Sequence, residues 1–555
     1  VRFPTFLPLI LVLCTCQRAA PRDAPPPGGT RTHLWVDAAE SGPGLGDGSQ
    51  ARPLRSLAEA LARPGPLTVH LGPGTYPGPF TLPEGVRLEG NGADSVLAVD
   101  GKDAPVLRAG RDAELVKLAV RGGGWGLEVT GGGRVRLERV DFTGQRTGAV
   151  RVEAGQLVVE SGTFVATVAE TTGVLVEGGP LEPESGASGE GASPASGPGP
   201  TAAEGAPTAS APGASAEAKV PPEPRALPRP EAPARAPQGS ALLPAVAEAR
   251  ITRGTFTGPY RRAVRIRGTR ARVELEDVRF SGPVSALGVD SGHAEVRRAV
   301  AEGGTGSAFS VVDGTLVLED VRVTGHEYGL SAMNARRLDV RGFFSEGARR
   351  AGLGVVRSTG VLEDVRVKDS GEFGGLQFVG GDMEVRRFEV NGSAEYGLSA
   401  LSGKLRLRRG SITGVTSGDG AAGDGLHLRQ VDADVEAVRV RDVAGACVLA
   451  AQDARVVLRE ADLRGCQRAG VAVDTLAKLE APSLEVHKSG VALSAMGGGE
   501  LRVDDLSASD LSEGLAWTEC KGATRVRLEH VRAADVRGLS APCVERPASE
   551  SGAPR

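Results

Sequence analysis

Thr315–Ala332 reads TLVLEDVRVTGHEYGLSA, and much of the chain repeats it. Its skeleton is Leu316-x-Leu318-x-x-Val321-x-Val323, a glycine corner, then Gly329-Leu330-x-Ala332. Upstream, Val135-x-Leu137-x-x-Val140-x-Phe142 leads to Gly148-Ala149-Val150-x-Val152; downstream, Leu405-x-Leu407-x-x-Gly410-x-Ile412 follows Gly397-Leu398-x-Ala400. The last apolar position of each first strand falls at Val120, Phe142, Phe164, Phe256, Phe280, Ala301, Val323, Ser345, Val367, Val390, Ile412, Val440, Leu463, Val486, Ala508 and Ala533. Most steps are about 22 residues. The exceptions are the longer step from Ile412 to Val440 and the large gap from Phe164 to Phe256.

A repeat of this length holds two or three short strands between Gly, Asn, Asp or Ser corners, and is too short for a βαβ unit. One coil cannot bury its own inward Leu and Val, whereas stacked coils share a continuous apolar column. The expected fold is therefore all-β: a single-stranded parallel β-helix, a solenoid rising roughly 4.8 Å per coil to a body about 75–80 Å long. Composition suits it. Glycine makes up 79 of 555 residues and aromatics only 4%. Lys+Arg 65 against Asp+Glu 69 leaves a net charge of −4, which gives no basic footprint for nucleic acid.

The N-terminus carries an apolar run, Phe3–Leu13, behind Arg2, with Cys14 and Cys16 directly after. That run is too short to span a bilayer and reads as a signal-peptide core. Leu13-Cys14-Thr15-Cys16 resembles a bacterial lipobox, which implies lipidation at Cys16 and a lipid-anchored envelope protein, periplasmic or at the cell surface. Leu13 and Thr15 depart from the usual small residue before the cysteine, so a plain secretory signal stays open. The expected organisation is residues 1–16 as signal, 17–32 as a Pro/Gly-rich tether, and 33–176 as N-terminal cap and first coils. Residues 246–545 form the main helix and 546–555 a disordered tail. Between the two solenoid parts, 177–245 has no aromatic residue and is rich in Pro, Ala, Ser and Gly. It cannot bury enough apolar surface to offset its ordering entropy and is expected to be a disordered insertion in one solenoid. A linker between two domains is the alternative.

Ser56-x-x-Glu59 reads as a capping box, and Leu54, Leu57, Ala58 and Leu61 form one face of a short helix. Strands Leu67–Leu71, Gly74-Thr75-Tyr76 and Val86-Arg87-Leu88-Glu89 follow. This region resembles the opening of right-handed β-helix proteins of the pectate-lyase superfamily, in which a capping helix precedes a Gly-Thr-Tyr strand and the first glycine-marked coil. The resemblance implies fold rather than function, because the superfamily includes lyases, hydrolases and adhesins.

In such enzymes the chemistry generally sits on the outer face of one sheet. The Gly-Leu-x-Val strands give an outward row: Glu128, Arg151, Leu175, Arg265, Gly288, Ser310, Ser331, Gly354, Gln377, Ser399, His427, Ala472, Ala492, Ala516 and Ser540. It offers neither the paired carboxylates of a hydrolase nor the carboxylates of a Ca²⁺ site, so no catalytic residue, metal ligand or cofactor is assigned. The other outward strand alternates Glu276, Arg297, Glu319, Arg341, Glu363 and Arg386, with Asp277, Arg298, Asp320, Asp364 and Arg387 beside them. A solvated ladder of opposite charges explains this pattern better than catalysis. The SGDGAAGDG insertion, Ser417–Gly425, reads as a corner loop rather than a Ca²⁺ loop, and His427 beside it as surface. Glu327-Tyr328-Gly329-Leu330-Ser331-Ala332 recurs verbatim as Glu395–Ala400. This places Tyr328, Arg350, Phe373 and Tyr396 at one corner of four successive coils, as a binding stack or as a self-packing ladder. Cys520 and Cys543 fall near one corner of adjacent terminal coils and are expected to pair; Cys447 and Cys466 are offset around the coil. The expected function is a non-catalytic envelope lipoprotein whose partner is a polysaccharide or another envelope component. A polysaccharide lyase or glycoside hydrolase with a loop-borne site, and a structural spacer or adhesin, are the competing readings.

Overall fold

The computed structural model describes residues 31–39, 46–101, 103–179, 246–418, 420 and 422–546. Cys16, the signal and tether, and most of the 177–245 insertion and the tail lie outside the described residues. What is described is an all-β parallel solenoid of about 17 turns. Each coil has three straight segments. In the coil that opens the pattern, strand Thr315–Thr324 bends at Asp320 into two segments, and Tyr328–Met333 forms the third.

The bend follows from backbone conformation at one residue. Asp320 has φ 54°, as do its equivalents Asp277 (55°), Arg298 (51°), Asp364 (56°) and Arg387 (50°). A single left-handed residue turns a strand without breaking the pairing of its neighbours, and Asp is among the residues that tolerate it best. The residues beside the charge ladder are thus its corners.

The sixteen anchor positions form one continuous register. Phe142 pairs with Val120 and Phe164, Phe280 with Ala301, Val323 with Ser345, and Ala508 with Ala533. Four wholly buried rings run through it, Phe142, Phe164, Phe256 and Phe280, with stacked centroids 5.4, 4.5 and 5.2 Å apart. Phe164 pairs directly with Phe256, and Gly155–Glu160 with Ala247–Thr252. The coils on either side of residues 180–245 are therefore immediate neighbours in one column. Val176 and Glu177 belong to strand Thr172–Glu177 and pair with Ile266 and Arg267.

At the N-terminal end a five-residue helix, Leu57–Leu61, covers the first coil, and Ser56 Oγ accepts a hydrogen bond from Glu59 N. Its buried face is Leu57 and Ala60 with Leu54, rather than Ala58, because three residues carry a helix nearly once around. At the other end, a Cys520–Cys543 disulfide ties the final coil to the segment beyond it, and Cys447–Cys466 forms another within the column.

Candidate functional site

Of the three outer faces, those of the first and third segments differ most in how they carry charge. The face built from the first segments is a lattice of ion pairs between coils. Arg297 meets Glu319 at 3.4 Å and Arg341 meets Glu363 at 3.1 Å. Arg298 reaches back to Asp277 at 2.7 Å and Arg387 to Asp364 at 2.6 Å. These hydrogen bonds hold the Asp277 and Asp364 carboxyls below the ordinary aspartate range. The paired acids engage arginines and are not gathered into an acid–base pair.

The face built from the third segments is different. Its outward row runs through Ser331, Gly354, Gln377, Ser399, His427, Leu449, Ala472, Ser494 and Trp517. This corrects the expected row at its end: Ser494 and Trp517 stand where Ala492 and Ala516 were read, and Ser540 lies outside the strand register. Elsewhere a glycine holds the inward position two residues before the outward one, as Gly470 does before Ala472, but there Ala492 and Leu515 hold that place. The glycine markers Gly490 and Gly514 fall two and one residues early.

A second row, three residues earlier, leans across the first. The Tyr328 ring lies against Gly354 of the next coil, where an added Cβ would sit 3.2 Å from it. Arg262 likewise lies over Gly288, and Tyr396 over His427, with ring centroids 4.7 Å apart. His427 is held from its other side. Asp424 Oδ2 is 2.7 Å from His427 Nδ1, and Asp424 Oδ1 accepts the Ala446 backbone N–H at 2.8 Å. Asp424 is 5% exposed and the His427 side chain 13%. A carboxylate on Nδ1 favours the tautomer that leaves Nε2 as the acceptor. The loop before Asp424 is fixed by Glu395, whose carbonyl accepts from Gly423 N and Asp424 N and whose carboxylate accepts from Gly418 N. His427 is thus an oriented imidazole beside an aromatic ring and a buried carboxylate, not an isolated surface histidine.

Beyond His427 the face becomes an apolar shelf. Ala446, Ala469, Ala472 and Val491 pack together outside the main core, with Leu449 against them. Trp517 ends it, 49% exposed. Four coil steps separate His427 from Trp517, about 19 Å. Arg468, at the edge, donates to the Gly420 carbonyl and so ties the coil two steps on to the loop.

The Tyr328, Arg350, Phe373 and Tyr396 positions do not form one stack. Tyr328 shares its row with Ala351 and Gly374, three coils before Tyr396. At 4% exposure its ring is covered. Arg350 and Phe373 occupy the adjoining row: the guanidinium sits 5.6 Å from the Phe373 ring centroid and 2.6 Å from Glu327. Of the four, Tyr396 borders the His427 group. Among the described residues no group of three or more His, Cys, Asp or Glu is placed to hold a metal ion, and no helix is long and apolar enough to cross a membrane.

No protein-family model and no curated protein sequence matches the chain. Three solved structures are distantly similar to it. The catalytic unit of a thermostable GH87 alpha-1,3-glucanase from Streptomyces thermodiastaticus strain HF3-3 is 14% identical, with 93% of this chain and 70% of that one covered and a TM-score of 0.26. The A-module of the Azotobacter vinelandii mannuronan C-5 epimerase AlgE4 is 12% identical over 92% of this chain and 100% of that one, with a TM-score of 0.17. PfbA, a surface adhesin of Streptococcus pneumoniae, is 9% identical over 86% and 85%, also at 0.17. Overlap at this level says nothing about the site.

Proposed function

We propose that the protein is an exported, lipid-anchored envelope component that binds an extended polysaccharide along the face from Tyr396 to Trp517 without cleaving it. The observation that carries this reading is the shelf. Its floor is low and apolar, and its ends are aromatic, with Tyr396 and His427 at one and Trp517 at the other. The alanines leave a flat floor on which Leu449 is half-buried and Trp517 exposed, and rings with one apolar face and one polar edge suit sugars, which have both. Export and anchoring rest on the N-terminal sequence alone, and mass spectrometry of the mature N-terminus tests lipidation at Cys16. Binding is tested by titrating immobilised polysaccharides with the full chain. Replacing Tyr396 or Trp517 by Ala should each weaken binding about tenfold, or ~1.4 kcal/mol, at unchanged Tm. Wild-type levels of binding in both variants would overturn the reading.

One arrangement favours a second reading, a carbohydrate-active enzyme. Asp424 fixes His427 with Nε2 turned away, as a general base requires. Turnover of a polysaccharide, measured by ultraviolet absorbance or reducing ends and abolished in His427→Ala, would establish it.

A further inference from the structure

Two polar atoms at the His427 end of this face are buried without a hydrogen-bond partner: Gln377 Oε1 and Arg429 Nε. The contrast with nearby arginines is sharp. Arg406 meets Asp382 at 2.8 Å, Arg408 meets Asp434 at 2.6 Å and Arg464 meets Asp462 at 2.7 Å. Arg429 stands instead between Leu401 and Ala451 on the neighbouring coils, with no carboxylate beside it in that row. A buried N–H of a guanidinium held against apolar neighbours costs free energy unless an acceptor pairs with it.

The positions of the two groups are set by the lattice. Gln377 precedes His427 by two coils in the same outward row, roughly 9.6 Å, with Ser399 between them. Arg429 follows His427 by two residues on the same strand, so it faces the same side about 6.6 Å away. An acceptor, an oriented imidazole and a cation thus frame the aromatic end of the shelf.

We propose that the polysaccharide is acidic, and that this end of the shelf reads a carboxylate-bearing sugar. Arg429 takes the carboxylate, for which its planar fork is suited, and a sugar hydroxyl donates to Gln377 Oε1. A neutral sugar would leave Arg429 Nε without a charged partner. The proposal rests on the polysaccharide-binding reading and adds the charge of the ligand to it.

The test uses the full chain and calorimetric titration with oligogalacturonate, oligomannuronate and oligoguluronate, each paired with its methyl ester, and with a sulfated oligosaccharide. At least one uronate should bind ten times or more tightly than its own ester, and that preference should shrink as salt is raised. Arg429→Gln should abolish the preference without lowering Tm, and Arg429→Lys should restore part of it. Equal affinity for acid and ester in the wild type, or a preference that survives in Arg429→Gln, would overturn the proposal while leaving glycan binding intact. Tighter binding of the sulfated sugar would refute the carboxylate assignment. If neutral and acidic sugars all fail to bind, the shelf reading falls with it.

Discussion

The first- and third-segment faces of this solenoid are built on the same coils, and from Tyr396 onward they handle charge in opposite ways. On the first-segment face, arginines and carboxylates from adjacent coils satisfy one another, as Arg297 does with Glu319 and Arg387 with Asp364. On the third-segment face the early coils also pair charge, as Arg151 does with Glu177 and Arg265 with Asp290, but beyond His427 the row is small or apolar as far as Trp517, and Arg429 meets no carboxylate. A repeat protein stacks coils by matching equivalent positions. Paired charge is an inexpensive way to make any surface row compatible with its own repetition. Leaving a buried group unmatched costs stability, so on this face the unmatched Arg429 Nε beside His427, rather than the numerous paired charges, is where the proposed ligand would bind.

The strongest way to test the comparison is to disturb what both faces share. Phe256 sits between Phe164 and Phe280 in the interior and has no exposed surface. Phe256→Ala should cost about 3–5 kcal/mol, read as a lower denaturation midpoint, and should perturb both faces together. A loss below about 1 kcal/mol would mean that the coils beside residues 180–245 are not packed as a column.

That column was legible from the sequence because interior positions repeat under one constraint. Val120 through Ala533 must be apolar or small to fit the stack, so the period survives even where Ser345 or Ala301 stands in the row. The outer faces carry no such constraint, and their reading depended on glycine as a marker. Where the marker moved, at Gly490 and Gly514, the row slipped, and Trp517 was passed over in favour of Ala516. Tyr328 and Tyr396 have identical local sequence, yet one ring is covered over Gly354 and the other leans on His427. That difference lies in the next coil and not in the repeated hexapeptide. His427 had a signal in Asp424-Gly425-Leu426-His427, but only the turn at the corner brings the carboxylate back onto the ring.

An intermediate effect belongs to the corner between the second and third segments. His326 is wholly buried there; its Nδ1 donates to the Gly306 carbonyl at 3.3 Å, and Nε2 has no partner. Burial lowers its pKa below the ordinary 6.5, with nearby Arg349 adding to the shift against the Gly306 hydrogen bond. The folded state therefore resists the proton that the unfolded chain accepts. Stability should be steady above pH 6.5 and fall as pH drops through it, by at most about 1.4 kcal/mol per unit. The part of the decline due to this residue should vanish in His326→Gln when Tm is followed from pH 7.5 to 5. An identical slope in both proteins would assign it to other groups, His70 among them, whose pKa burial also lowers.

The smallest expected effect is the most direct test of the contrast between the faces. Arg297 and Glu319 are each about half exposed, and Arg297 also contacts Glu295 at 3.0 Å. An exposed pair of this kind holds two mobile side chains in a high-dielectric, salt-screened setting, and its coupling should be about 0.2–1 kcal/mol. A double-mutant cycle with Arg297→Ala and Glu319→Ala measures it, and the value should approach zero as salt is raised toward 1 M. Polysaccharide affinity should not change in any of the three variants, because neither residue lies on the shelf and both are already engaged with neighbours. If affinity falls in these variants while Tyr396→Ala and Trp517→Ala bind normally, the roles of the faces are reversed: the ion-pair lattice would then be the surface that meets the ligand, exchanging its internal partners for it.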